Sequence, residues 1–293
     1  AIIEQFVKEI EGQVGWTTED TGVLFGSDYQ VNDWLNVGGF FDYGNTRRLL
    51  SADLGKSDTN IFSLGVTATA SLDAFYVTAS GSYGFGETDI DRKVNRRPGV
   101  TFDPVSRTLV SGPALAEPRI TNRGNPDLRV GEVAVVTGYD FSFGGFSVGP
   151  YAGVTWMRTT VDGYTESGGA SNGFSANYIV EEQTITSLKS RFGVQSSYAI
   201  STEIGVITPA VRIEYVREHQ DDPREVRYRF AEAPGDVLIA GKTADPDRHV
   251  GSYGFSLSGL CEDGINAFVD FESLFAHRYL DRYQITAGVR KTF

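Results

Sequence analysis

One cysteine, one methionine and three histidines in 293 residues leave little room for sulfur or imidazole chemistry. Cys261 has no partner with which to form a disulfide, and no Cys or His spacing marks a metal site. No run of about 18 apolar residues occurs, which excludes a membrane-spanning helix. It does not exclude a membrane-spanning strand, because such strands alternate and never average as hydrophobic. A basic surface is missing as well. The formal charge of −12 argues against nucleic acid, whose phosphates need cations. The first residues, Ala1 to Val7, lack a basic segment leading into an apolar one, the mark of a secretory leader. The chain is therefore expected to begin after a processed or omitted segment.

What is plentiful is glycine (34), phenylalanine (19) and tyrosine (14), together with Thr, Ser and Val. This mixture favours strands and turns over helices. Alternation recurs along the chain. Phe62, Leu64, Val66, Ala68 and Ala70 alternate with Ser63, Gly65, Thr67 and Thr69. Phe75 to Phe85, Tyr253 to Gly259 and Ile265 to Phe271 repeat the pattern, with apolar and aromatic residues on one phase and mostly polar or small ones on the other. A period of two means strands with one apolar face.

That face could pack inward against a second sheet, as in a soluble sandwich, or meet lipid, as in a membrane barrel. The connections favour the barrel. Short ones, at Val31–Trp34, Ser71–Asp73, Gly144–Gly145, Ser201–Glu203 and Glu262–Gly264, are built from turn residues. Long ones run from about Glu87 to Leu128, Asp162 to Thr186 and Glu218 to Arg248, and hold most of the proline. Tight turns at one end and long polar loops at the other are the pattern of outer-membrane barrels. Tyr29, Trp34, Phe75, Tyr139, Phe141, Phe146 and Tyr198 fall near the short turns, where an interfacial aromatic girdle is needed.

About eleven strands are legible from Val23 onward, and even closure asks for a twelfth within residues 1–20. There Ile2, Ile3, Phe6, Val7 and Ile10 recur at helical spacing. The expectation is a short N-terminal helix, followed by a strand through Val14 and Trp16. Read as a strand, the same stretch sets Lys8 on the lipid face with Phe6 and Ile10. The domain plan is accordingly residues 1–20 as helix, linker and first strand, and 21–293 as an all-β transmembrane antiparallel barrel of about twelve strands.

Four segments carry a family resemblance: Leu24–Gly44, Thr137–Gly169, Ser187–Thr202 and Ile207–Asp222, with "ITAGVRKTF" at the end. In order and spacing they resemble the translocator domain of autotransporters, the type V secretion barrels. The resemblance implies a twelve-stranded barrel in the outer membrane of a Gram-negative bacterium, its lumen crossed by a helix leading from an N-terminal passenger. It implies no cofactor and no metal. The expected partners are outer-membrane lipids and lipopolysaccharide, the barrel assembly machinery, and the chain's own passenger segment or another envelope protein. The long loops are expected outside the cell and the termini in the periplasm or lumen.

On the polar phase stand Lys189, Arg191, Arg212, Glu214, Asp270, Glu272 and Arg290. These are the candidate lumen-lining residues, set to contact a segment in the pore or to satisfy one another. The last strand puts Tyr283, Ile285, Ala287, Val289 and Phe293 on one side, the form of a carboxyl-terminal assembly signal. Among enzymes, a Ser–His–Asp device could be assembled around His219, His249 or His277, but sets of this kind arise readily by chance, and no catalytic role is expected. Asp89–Asp91 and Asp245–Asp247 could hold a cation, and Arg92-Lys93 and Arg96-Arg97 could meet lipid phosphates; solvated charge is the plainer reading. A passenger-less structural or pore-forming barrel, perhaps docked to other envelope proteins, is the alternative function.

Overall fold

The computed structural model describes residues 2–7, 14–95, 100–103, 108–111, 119–168, 176–220, 224–232, 237–243, 247–261, 264–277 and 280–292. Within them, alternation becomes antiparallel pairing. Twelve strands close a ring: β1 (Ile2–Val7), β2 (Trp16–Asn32), β3 (Leu35–Leu50), β4 (Gly55–Leu72), β5 (Phe75–Asn95), β6 (Asp127–Tyr139), β7 (Phe146–Val161), β8 (Gln183–Tyr198), β9 (Gly205–Glu218), β10 (His249–Cys261), β11 (Ile265–Phe275) and β12 (Leu280–Lys291). Each pairs with the next in sequence, and β1 joins β12 to close the ring. Closure runs over the six residues of β1, where backbone groups on both sides of the seam are paired.

The stretch Ile2–Val7 is a strand, not the expected helix. Its residues pair with Trp16–Thr21 on one side and Leu280–Ile285 on the other. Two sets of ladder bonds outweigh a weak helical spacing in six residues, since an unclosed seam would expose backbone groups to hydrocarbon. The next strand starts at Trp16, so Val14 precedes it. Residues 8–13, which hold Lys8 and Ile10 of the strand reading, lie outside the described residues.

The short connections fall at Asp33–Trp34, Asp73–Ala74, Gly144–Gly145, Glu203–Ile204 and around Gly264. In the first, the Asn32 side-chain oxygen accepts from the backbone N–H of Trp34 (3.1 Å) and Leu35 (2.9 Å), a side-chain mimic of a backbone turn. Gly144 takes φ +64°, a left-handed conformation that suits glycine.

The outward phase is apolar and bare. Leu64 and Val66 are 61% and 65% exposed, Ile213 63% and Val289 76%. A soluble protein does not leave such a continuous surface in water, whereas lipid covers it. Tyr29, Trp34, Phe75, Tyr139, Phe141, Phe146 and Tyr198 are all exposed on the short-turn side. Nearer the long connections, Tyr43, Phe62 and Phe85 form a row, with centroids 4.8 and 6.4 Å apart.

Candidate functional site: the inner wall of the ring

Because side chains alternate, the charges of β9 stand on the phase opposite Val211, Ile213 and Tyr215. Arg212 on β9 shows how the inner wall is knitted. Its guanidinium donates to Asp270 on β11 (2.6 and 2.9 Å) and to Glu272 (2.8 Å). The strand between them, β10, makes room with Gly254, where a Cβ would lie 2.6 Å from the guanidinium carbon. Bidentate geometry suits arginine and no other side chain.

A second group lies next to it. Tyr151 on β7 donates its hydroxyl to Glu214 (3.1 Å), and Arg191 on β8 donates to Thr155 (3.2 Å) and lies 4.0 Å from Glu214. Tyr151 crosses Gly193 of β8, as Arg212 crosses Gly254. Lys189 stands higher, exposed, opposite Glu218 in the β8–β9 register. Glu218 ends β9 and accepts from Ser187 (2.5 Å) and from the backbone N–H groups of Leu188 (2.9 Å) and Gln220 (3.0 Å).

Arg290 does not join either group. Its guanidinium reaches Asp28 on β2 (2.5 Å), which also accepts from Asn36 (2.9 Å). This contact spans the seam on the short-turn side of β1.

The sequence-predicted set thus separates into Arg191 with Glu214, Arg212 with Asp270 and Glu272, Lys189 facing Glu218, and Arg290 with Asp28. Tyr151, Asp28, Tyr76, Gln195 and Asp140 were not anticipated. Gln195 reaches Asp140 (3.3 Å) and the Tyr76 hydroxyl (3.5 Å) on the same wall. The available signal was a glycine on the polar phase of one strand beside a long residue on the polar phase of the next. Of the terminal residues, Tyr283, Ile285, Ala287 and Val289 share the outward phase; Phe293 lies outside the described residues.

The loop charges have ordinary partners. Asp89 accepts from Asn125, Asp91 lies 3.4 Å from Arg123, Lys93 pairs with Asp53, and His277 Nδ1 lies 3.3 Å from Asp247. Asp245, Arg96 and Arg97 lie outside the described residues. Ser190 contacts His219 Nε2 at 2.8 Å, with no carboxylate bonded to that imidazole among the described residues. Among the same residues, no group of three or more His, Cys, Asp or Glu side chains could hold a metal ion.

A family model described as the autotransporter beta-domain matches residues 5–272. The chain belongs to the autotransporter β-domain family. Solved structures agree on the fold. The translocator domain of autotransporter NalP from Neisseria meningitidis superposes with a TM-score of 0.70 at 12% identity, covering 99% of this chain and 85% of that one. The β-domain of the Bordetella autotransporter BrkA gives 0.63 at 15%, with 100% and 97% covered. The transport unit of AIDA-I from Escherichia coli gives 0.56 at 10%, with 100% and 88% covered. No curated relative matches the chain. This autotransporter β-domain is an outer-membrane translocator barrel of the Gram-negative type. The reading as a stand-alone barrel without a passenger finds no better support.

Proposed function

We propose that this β-domain stands in the outer membrane with its short turns in the periplasm and its long connections outside, and exports or displays the polypeptide that precedes it. The family match over residues 5–272 carries the reading, with the closed ring and its polar inner wall as physical support. Such a wall is what an extended polar chain needs, because hydrocarbon offers it no hydrogen bonds. Lys189, Arg191, Arg212, Glu214, Asp270, Glu272 and Arg290 then face that chain while the ring is occupied. Their mutual pairing keeps the wall near neutral, which suits passage of varied sequence better than a wall of one sign.

The same reading assigns β12 a part in assembly. Tyr283, Ile285, Ala287 and Val289 present one apolar face along the strand that closes the ring last, and the assembly machinery recognises it by strand addition before closure. Phosphate groups of lipopolysaccharide and other outer-leaflet lipids meet the cations around the long connections. Catalysis is not part of this reading.

An epitope placed ahead of Ala1 in the full-length gene product tests it. Antibody should reach the epitope on intact cells. An epitope found only in the periplasm, with the barrel correctly inserted, would overturn export and leave a bare anchor.

A further inference from the structure

Arg217 stands on the apolar phase of β9. It follows Val211, Ile213 and Tyr215 at intervals of two, and it is exposed. Its guanidinium makes no ion pair and no hydrogen bond among the described residues. An arginine on the lipid face is costly at the bilayer midplane and costs little near the interface. Depth decides which applies. From Gly205 at the short turn to Tyr215 is eleven residues, and about 9–11 tilted residues cross the hydrocarbon. Tyr215 therefore stands at the interface on the long-connection side. Arg217 lies just beyond it, at the level of lipid head groups.

The register gathers other polar groups around it. Arg217 faces His249 on β10 and Ser190 on β8, and residues directly opposite share a face with Cβ atoms about 4.5–5.5 Å apart. The Tyr215 hydroxyl shares a 2.5 Å hydrogen bond with His249 Nδ1, and the two rings stack with centroids 5.8 Å apart. That bond orients the imidazole and, with Tyr215 as donor, keeps its proton on Nε2. Ser190 Oγ lies 2.8 Å from His219 Nε2, so a second imidazole borders the patch. Asp247, two residues before His249, lies 3.3 Å from His277 Nδ1.

An apolar groove of about 970 Å³ adjoins this patch on the short-turn side, with Tyr215 and His249 in its lining. It crosses seven strands, from Phe75 at the short-turn end of β5 to Phe275 at the long-connection end of β11. Ala152 is opposite Phe192, and Gly251 is opposite Tyr215, so both small residues belong to the apolar face. They leave space between larger neighbours. Barrel strands are tilted, so a groove running across them climbs through the bilayer toward the head-group level.

We propose that β8–β10 bind the phosphorylated lipid anchor of lipopolysaccharide, its phosphate on Arg217 and His249 and an acyl chain along the groove. A guanidinium takes phosphate through two parallel N–H bonds, and His249 Nε2 adds a further donor. A cation at one end of an apolar channel matches an amphiphile. A free anion would leave the groove unused, and a neutral lipid would leave the arginine unpaired. This lipid belongs to the outer leaflet, so the choice of occupant rests on the orientation proposed above.

Native mass spectrometry of the purified full chain in detergent, titrated with deep-rough lipopolysaccharide, tests it. The wild type should carry one lipid per barrel. Replacing Arg217→Ala and His249→Ala together should weaken binding about tenfold, the loss of a charge-assisted contact. Removing the phosphates from the probe should weaken wild-type binding similarly and leave the double variant unaffected. Ala152→Phe fills the groove while keeping both donors; it should also weaken binding, and it carries the test if the double variant does not fold. Arg47→Ala, which removes a pairing with Asp58, should bind as the wild type does. Wild-type affinity in the double variant or in Ala152→Phe would make Arg217 a solvated cation only and overturn the site. Equal competition by phosphatidylglycerol would overturn the choice of lipid. The titration needs neither cells nor a passenger, so its failure leaves export standing. A reversed barrel would instead show as protease cleavage at 262–264 on intact cells, with the titration unchanged.

Discussion

Tyr151 on β7 lies across Gly193 of β8 and donates its hydroxyl to Glu214 on β9, 3.1 Å away. The same arrangement recurs around the ring. Phe40 covers Gly65, Tyr76 covers Gly138 and Phe268 covers Gly288, each placing ring or hydroxyl atoms within 2.6 Å of where a Cβ would stand. A missing side chain on one strand becomes the bed for a large one on its neighbour, which fills the wall and fixes register.

Gly193→Ala should accordingly push Tyr151 off its bed, since the new Cβ would lie 2.3 Å from the ring. Overpacking together with a lost bond to Glu214 should cost about 2–4 kcal/mol. The urea midpoint of the folded barrel reads this, and Tyr151→Ala in the same chain should recover part of the loss. A midpoint unchanged by Gly193→Ala would mean that Tyr151 has room to move.

Arg212→Ala should leave Asp270 and Glu272 facing each other without their shared cation. Each of the three side chains retains some exposure (28%, 19% and 27%), which tempers the penalty. The expected loss is about 1–3 kcal/mol, against roughly 3–5 kcal/mol when a fully buried pair loses one partner. Adding Asp270→Asn and Glu272→Gln removes the stranded charges, so the triple variant should be more stable than Arg212→Ala alone. The reverse order would show that the carboxylates find other partners.

The β11–β12 connection should loosen in acid. His277 Nδ1 accepts from the backbone N–H of Leu280 (3.0 Å), and burial lowers its pKa more than Asp247 and Asp281 raise it. A lowered histidine pKa means that the unfolded chain binds the proton first. The stabilisation is therefore complete above about pH 6.5, the unfolded value, and lost as pH falls through the lower folded value. Amide exchange at Leu280 should accelerate between pH 7 and pH 5, and His277→Asn should flatten that dependence. An equal acceleration in His277→Asn would assign it to another group.

Protease added to intact cells should cut only within 87–128, 162–186 or 218–248. Strand pairing and the buried Glu166, which accepts from Arg92 and Asn122, protect parts of these connections, so cutting should be slow around Asn122 and Glu166. Cleavage at 262–264 under the same conditions would reverse the orientation.

Deleting Phe293 should leave the described contacts of β12 in place while slowing insertion, with degradation of the uninserted chain in the periplasm. The outward row Tyr283, Ile285, Ala287 and Val289 is retained in that variant, so a defect would be specific to the terminal ring. Normal surface levels at native expression would reduce Phe293 to an interfacial aromatic.

The sequence by itself determined the strands, their polar and apolar phases, and the short turns. These follow from a period of two and from local turn chemistry, which act over a few residues. It also placed Arg212, Asp270 and Glu272 on the phase opposite the apolar one, because phase is inherited from each residue's immediate neighbours, and their side chains meet there. Only the tertiary structure decided that Ile2–Val7 is a strand. Six residues carry too short a pattern to separate two periods, and the deciding partner of Ile2 is Ile285, near the other end of the chain. Only the tertiary structure joined Arg92 to Glu166, 74 positions apart. Hydrogen bonds between distant connections leave no periodic trace in sequence, so the Pro- and charge-rich loops read as solvated although Asn122, Pro126, Glu166, Ala176 and Val180 within them are buried.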